Sequence, residues 1–427
     1  MLITILTTGT RGDTQPYIAL GLKLKASGHT VRIAAFENFG DFIKSFGLEF
    51  YPVEGDISKF VSSKMFKDAM SADNPLKFFK SLSNKEFNDA LLGVQRDLFN
   101  ACEGSNLIVY HPGAPIGYFV AQKLGIPCVL ASPFPMSPTK EYPSLIFYDG
   151  IRLGKLFNYL THKVFENGFW FAIKSPLEQY WKQLHGSAPK NFSCPYDKQN
   201  TKRFPTVTSC SNYDFPGPKD WPRNVYSDGY WFLDEEKEWE PPKELTDFLQ
   251  KGPPPVYIGF GSVVDIEKSE ETTGIIIEAL KLSKQRGVLA TGWNGTAKLD
   301  KVSDDLFILE SAPHSWLFPL MSAVVHHGGA GTTAAGLRAG VPSIIIPHSN
   351  DQFAWGRRVH ELGVGPKAIP RKKLTAQNLS AAINEALADG VKEKAKKLGE
   401  QIRSEKGAEK AAQIIIDVLE KEKNEAK

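Results

Sequence analysis

Apolar residues recur along the 427-residue chain in short, nearly unbroken runs, separated by glycine-punctuated loops and helical stretches. The first run, LITILT, has the pattern of a strand covered on both faces. GTRGD follows as a loop, and then PYIALGLKLKAS, whose proline suits the first turn of a helix and whose end at Gly28 offers a C-cap. TVRIAAF returns as a strand, so the opening predicts a βαβ unit. NLIVY and PCVLAS continue the alternation of strands with helices. Residues from about 134 to 200 break it: they are rich in proline and aromatics and read as irregular. The charged, proline-bearing segment DEEKEWEPPKE, residues 234–244, reads as an interdomain linker. Beyond it the alternation restarts, with PVYIGF, GVLAT, LFILE, AVVHH and SIIIP as strands and helices near 271–285, from about 331 and from about 353. The expected architecture is α/β: two doubly wound parallel sheets, residues 1–233 and 245–405, facing each other across a shared ligand cleft. A last helix, 406–427, carries an apolar stripe in AAQIIIDVL and is expected to pack back on the N-terminal domain.

Composition narrows the function class. Hydrophobic residues make up 42% and charged residues 23%, as in ordinary globular domains. A net charge of +3 is too small to argue for nucleic acid as a partner. Cys102, Cys128, Cys194 and Cys210 are scattered without a Cys-x-x-Cys pair, which disfavours a zinc site or a disulfide framework and suits a reducing compartment. No apolar run approaches the roughly 20 residues of a membrane-spanning helix, and the N-terminus reads as a buried strand rather than a signal peptide. A cytoplasmic location, with peripheral membrane contact open, is the expectation. Oligomeric state is unreadable.

The richest chemistry lies in HHGGAGTTAAGLRAGVPSIIIPHSNDQ, residues 326–352. A strand ending in this cluster and turning into a helix presents free backbone N–H groups and the positive end of a helix dipole, which attract phosphate. Gly328, Gly329 and Gly331 allow close backbone approach, the threonines offer hydroxyls, and a histidine before the turn can donate to a phosphate oxygen. The bland alternative is tight strand–helix packing with buried, satisfied histidines. The motif is neither a P-loop nor a clean Gly-x-Gly-x-x-Gly.

Taken with TGTRGDTQPYIALGLKL, GYWFLD, PPVYIGFGS and NDQFAWGRRVHELGVGP, this cluster resembles the family 1 nucleotide-sugar glycosyltransferases, nearest to their sterol 3-β-glucosyltransferase and bacterial natural-product branch. The resemblance covers nearly the whole length expected of the catalytic part, without the membrane-targeting domains that precede it in fungal sterol enzymes. It implies the GT-B fold and an inverting transfer of a sugar, with glucose from UDP-glucose as the usual donor. The acceptor it implies is a hydroxyl of a lipophile. It implies no cofactor beyond the nucleotide sugar and no metal, and the chain has no Asp-x-Asp. Carried over residue by residue, the donor diphosphate falls to His327, Gly329, Ala330, Gly331 and Thr332, with Ser262 of GFGS and with Thr10, Arg11 and Gly12 of the first loop. Asp351 and Gln352 are the sugar contacts. The family's Trp-x-Pro-Gln element at the base is replaced by SAPHSW, which leaves Ala312, His314 and the separate Trp293 as candidates for the nucleoside. Asp13 is the expected general base, with helix capping as its bland alternative and His111 as the second candidate base.

For the acceptor, Phe134, Tyr142 and Trp170 are candidates. Residues 59–99 interleave Phe60, Phe66, Phe78, Phe79 and Phe87 with lysines, which suits a lid over an apolar acceptor and contact with an anionic membrane. Aromatic rings favour a sterol, triterpenoid, polyketide or flavonoid over a saccharide. Two other readings stay open: a TDP-deoxysugar donor with an antibiotic-like aglycone, and a nicotinamide-dependent oxidoreductase suggested by TGTRG and by Tyr159 with Lys163. The third glycine of the dinucleotide fingerprint is missing, which counts against the second of these.

Overall fold

The computed structural model describes residues 1–55, 85–198, 201, 203–234, 239–260, 269–291, 304–348 and 351–425, without the side chains of 85–87 and 269–270. They form two units, one of Met1–Leu233 with Glu405–Lys427 and one of Asp234–Ser404.

The first unit is built on a seven-stranded sheet: β1 (Leu2–Leu6), β2 (Thr30–Phe36), β3 (Glu49–Val53), β4 (Leu107–Tyr110), β5 (Cys128–Ser132), β6 (Thr206–Thr208) and β7 (Val225–Ser227). The spatial order is β3-β2-β1-β4-β5-β6-β7, and every pairing is parallel. The unbroken apolar runs have a direct cause. Ile3, Ile5, Leu107, Val109, Val129 and Ala131 point to one core, while Leu6, Ile108, Tyr110, Cys128 and Leu130 point to another. The first core is completed by Tyr17, Ile18, Leu20 and Leu24 of the Arg11–Ala26 helix and by Ala408, Ala411, Ile415 and Leu419 of the final helix, Gly407–Glu425.

Two expectations need correction here. The first helix begins at Arg11, five residues before Pro16, because Thr10 caps it and Asp13 closes the cap. Pro16 lies inside the helix. The stretch read as irregular contains a 31-residue helix, Lys155–His185. Its apolar residues lie on nearly every side and Pro176 falls within it, so no clean period of 3.6 shows in the sequence.

The second unit carries β8 (Val256–Gly259), β9 (Gly287–Ala290), β10 (Leu306–Leu309), β11 (Ala323–His326) and β12 (Ser343–Ile345), all parallel, in the order β10-β9-β8-β11-β12. Val256, Ile258, Val325 and Ile344 bury one face, and Tyr257, Val288 and Val324 the other. Both sheets are doubly covered, and each places its strand-to-helix loops at the carboxyl edge, where ligands of this architecture bind.

Candidate active site

In the first unit the loop after β1 enters the Arg11–Ala26 helix through a closed cap. Asp13 accepts from the Thr10 N–H at 2.8 Å and from the Thr10 hydroxyl at 3.1 Å, and the Asp13 carbonyl accepts from the Thr7 hydroxyl at 2.7 Å. Gly9 makes this possible. Its φ is +123°, and a Cβ there would collide with Asp13 Oδ2.

The second carboxylate oxygen of Asp13 lies 3.6 Å from Nε2 of His111, a residue placed just past the end of β4. His111 is buried, and its Nδ1 accepts the Gly113 backbone N–H at 2.9 Å. A nitrogen that accepts carries a lone pair, so the ring proton of neutral His111 sits on Nε2, on the side of Asp13. Tyr17 packs edge-on against the imidazole with ring centres 5.9 Å apart, and its hydroxyl donates to the Ala131 carbonyl. Burial, and then the Asp13 charge, hold the Tyr17 phenol well above its usual range, so it stays a neutral donor. The arrangement is a half-exposed carboxylate with a buried imidazole Nε2, itself without a hydrogen-bond partner among the described residues, 3.6 Å behind it. Such a carboxylate can accept a proton from a hydroxyl placed before it.

In the second unit β11 ends at His326, and the chain turns through His327, Gly328 and Gly329 into the Ala330–Ala339 helix. Gly328 has φ +89°, and a Cβ there would lie 2.6 Å from Ile345 Cγ2. Gly329 is the N-cap, and a Cβ on it would lie 2.6 Å from His327 Nε2, so the imidazole rests against the helix entrance. Thr333 is buried and donates back to the Gly329 carbonyl at 2.9 Å, while Gly331 is exposed and Thr332 half-buried. The first N–H groups of this helix have no partner within it.

Three histidines gather around the turn. His326 is fully buried, its Nδ1 accepts the Gly328 N–H at 3.1 Å, and burial, with His327 and His314 beside it, lowers its pKa well below the usual range. Burial lowers His327 to about 4. His348, after β12, is lowered to about 4 by burial, with His327 and Arg371 adding to it. All three are therefore neutral near pH 7. Nε2 of His326, Nδ1 of His327 and Nε2 of His348 are buried without a hydrogen-bond partner among the described residues. An orphaned imidazole nitrogen at a helix entrance is a group placed for a ligand as much as for the core.

Two family models match the chain: the glycosyltransferase family 28 N-terminal domain over residues 3–143, and the C-terminal domain of the erythromycin biosynthesis protein CIII-like type over 286–420. The matches contain Asp13 and His111 in one case and the His327 turn in the other. The chain belongs to the GT-B glycosyltransferases. This glycosyltransferase is 37% identical over 437 residues to a sterol 3-beta-glucosyltransferase of Candida albicans, an alignment covering 99% of the chain but 28% of that protein. It is 36% identical over 411 residues to one of Arabidopsis thaliana, covering 95% of the chain and 66% of the relative. Among solved structures it resembles the glycotransferase of kitacinnamycin, with TM-score 0.72, 18% identity, and 98% and 99% of the two chains covered. The glycosyltransferase VinC in complex with DTDP gives TM-score 0.67 and 18% identity over 99% and 100%. Likeness at that identity shows the fold.

The remaining candidates of the glycosyltransferase fall unevenly. Asp351 and Gln352 stand at the entrance of the Gln352–Glu361 helix. Asp351 Oδ2 accepts the Trp355 indole N–H at 3.2 Å, and the Gln352 amide oxygen accepts the His348 backbone N–H at 2.8 Å, so both also hold the local fold. Ala312 and His314 sit half-buried beside β10, with His314 stacked on Phe318 at 4.2 Å. Thr10 turns both of its donors to Asp13, and the Arg11 guanidinium lies 4.8 Å from the Phe42 ring centre. Gly12 is exposed at the start of the helix. Phe134 and Tyr142 are half-buried. Trp170 is not a surface group: it is packed in the core against Phe119 and Phe192, because it lies on the inward face of the long helix. Lys163 of the Tyr159–Lys163 pair is held by Glu166 and Asp197.

Ser262, Trp293, and Phe60 to Phe79 with their lysines lie outside the described residues, as does the Phe87 side chain. Reading the sequence missed Gly9, Gly113, Tyr17 and His348. Of these only Gly9, two residues before the acidic loop's arginine, left a visible signal.

Proposed function

We propose that this protein transfers glucose from UDP-glucose to the hydroxyl of a sterol-like lipophile, giving the β-glycoside. The observation that carries the chemistry is the Asp13 carboxylate, anchored by its cap and lying 3.6 Å from His111 Nε2. In the step, the acceptor hydroxyl gives its proton to Asp13 as its oxygen forms a bond to the anomeric carbon. The bond from that carbon to the diphosphate oxygen breaks on the opposite face, and UDP leaves with the electron pair. His111 is a neighbour of the carboxylate rather than the base in this reading: its Nδ1 is taken by the Gly113 N–H, so it has no lone pair turned to the acceptor. The leaving diphosphate is met by the N-terminus of the Ala330–Ala339 helix and by neutral His327 as a hydrogen-bond donor, which supplies charge stabilisation without a metal. Asp351 and Gln352 are the sugar contacts in this reading.

The sterol class rests on the curated relatives, which are named as sterol 3-beta-glucosyltransferases and of whose length the chain covers 28 to 66% in the two alignments above. The test is product mass spectrometry after offering UDP-glucose or dTDP-glucose, with EDTA present, to a mixture of a sterol, a flavonoid and a free oligosaccharide. A sterol glucoside formed from UDP-glucose is the expected product. Preferential use of the oligosaccharide would refute the acceptor class, preference for dTDP-glucose the donor, and loss of activity in EDTA the metal-free step.

A further inference from the structure

The loop that follows β12 closes over the turn that follows β11. A Cβ on Gly328 would lie 3.1 Å from the Gln352 carbonyl oxygen, and the Gln352 side chain accepts the His348 backbone N–H at 2.8 Å. His348 therefore stands on a pinned loop beside the His327 turn. Its ring reaches further. In the sheet β11 lies between β8 and β12, so residues that follow those two strands meet across the end of β11. Phe260, the residue after β8, and His348 do meet, with ring centres 5.8 Å apart and planes at 42°. The His348 imidazole thus leans over the exit of β11, where the His327 turn begins.

Core packing alone does not account for this ring. Its Nε2 is buried without a hydrogen-bond partner among the described residues, whereas protein interiors pair nearly all such atoms. An all-carbon ring would pack against Phe260 as well, and a buried nitrogen is a cost until something bonds to it. The surroundings set the charge of that partner. Among the described residues, the groups whose charge acts on His348 are His327 and Arg371, and both oppose a positive charge on it. His327 is itself neutral near pH 7, so Arg371 supplies the full charge. Arg371 is fixed from two sides, its backbone N–H donating to the Pro347 carbonyl at 3.0 Å and its guanidinium to the Thr272 hydroxyl. Asp351, three residues along the same loop, turns Oδ2 to the Trp355 indole. A neutral imidazole between a guanidinium and the His327 turn suits an oxygen anion.

We propose that His348 is a further donor-binding residue, its Nε2–H donating to an oxygen of the β-phosphate of the nucleotide sugar. It works from the β12 side, while the Ala330–Ala339 helix meets the diphosphate from the β11 side. The inference rests on the diphosphate reading of the His327 turn given above. The β-phosphate is the one bonded to the sugar, and the His348 loop also carries Asp351 and Gln352, the proposed sugar contacts. An ionised phosphate oxygen only accepts, so binding selects the tautomer with its proton on Nε2.

The experiment is titration calorimetry of the full chain with UDP, UMP and UDP-glucose, with thermal melts alongside. The unaltered protein is compared with His348→Phe, His327→Ala and His360→Ala. His348→Phe keeps a flat ring against Phe260 and removes both nitrogens. It should weaken UDP and UDP-glucose alike by about ten-fold or more, and leave UMP, which has no β-phosphate, within about two-fold. His360→Ala, at an exposed position of the Gln352–Glu361 helix, should bind as the unaltered protein does. Unchanged UDP affinity in His348→Phe beside a loss in His327→Ala would overturn this inference and leave the diphosphate reading standing. A loss in His348→Phe with none in His327→Ala would support His348 and remove His327 from the site. An equal loss for UMP and UDP would overturn the β-phosphate contact, since a damaged fold or a nucleoside contact lowers both. A loss for UDP-glucose alone would overturn it in favour of the sugar, and no binding of UDP by the unaltered protein would overturn both readings.

Discussion

Asp13 has two roles in this structure, and replacing it with asparagine separates them. The carboxylate closes the cap of the first helix through Thr10 at 2.8 and 3.1 Å, and the proposed reaction uses the same group as base. Asparagine keeps an acceptor oxygen in the cap but gives up the negative charge at the helix N-terminus, a loss of about 0.3–1 kcal/mol. A thermal melt should therefore move by no more than a few degrees. Removing a general base costs about 10²–10⁴-fold in rate, or roughly 3–5 kcal/mol of barrier. The two effects differ enough in size to be told apart. We expect Asp13→Asn to lose at least a hundred-fold in the rate of glucoside formation, read by mass spectrometry under initial-rate conditions, with UDP affinity by calorimetry unchanged. A rate loss below ten-fold would show that Asp13 is a cap and nothing more. A rate loss that tracked the melting temperature across Asn, Ser and Ala variants would also reduce Asp13 to a cap.

Gly9→Ala should mimic much of that loss with UDP binding intact, because its Cβ displaces the Asp13 carboxylate; full activity would mean the loop is not held as described. His327→Ala should weaken UDP binding and slow transfer together, whereas His326→Ala, which loses a buried ring and an acceptor for the Gly328 N–H, should act on stability by about 2–4 kcal/mol; titration calorimetry giving the reverse ranking would shift the ligand contact to His326. Asp351→Asn keeps an acceptor for the Trp355 indole, so it should raise the KM for UDP-glucose while sparing affinity for UDP alone; equal losses for both would exclude a sugar contact. Burial holds His162, His327 and His348 at about 4, below the usual 6.5, so the unfolded chain binds more protons than the folded one between those values. Stability is then undiminished above pH 6.5 and falls as the pH drops toward 4, by up to about 1.4 kcal/mol per pH unit for each histidine; a melting temperature flat from pH 7 to 5 would contradict their burial as neutral rings.

The strands were legible because both sheets are covered on both faces, which turns runs such as LITILT and AVVHH into unbroken apolar words. The glycine turn at 328–329 was legible because its chemistry is local. What remained hidden had to do with direction. Trp170 and Phe171 are neighbours of the same class, yet one is interior and the other exposed, and only the phase of a helix decides between them. That helix was itself obscured, since residues on its buried side and on its bare side are alike apolar. Asp13 could be read as base or as cap from the sequence, and the structure shows that the cap exists without removing the carboxylate from His111. The tautomer of His111 depends on a backbone N–H two residues on, and no residue identity encodes it.

The return of the Gly407–Glu425 helix to the first unit has a consequence for the order in which the chain matures. Ala408, Ala411, Ala412, Ile415, Ile416 and Leu419 fill one side of the first sheet's core against Ile18 and Leu24, and Gly407 passes so near the Gly229 carbonyl that any side chain there would strike it. On the ribosome residues 1–233 emerge with only the part of that face that the final helix covers still bare, and it stays bare while the whole second unit is made. The first unit can acquire this wall only after the second unit has been made, so an uncovered apolar surface has to be kept from aggregating for the intervening 171 residues, Asp234 to Ser404. Stop codons or proteolytic nicks after residue 404 should therefore damage the first unit and leave the second comparatively whole.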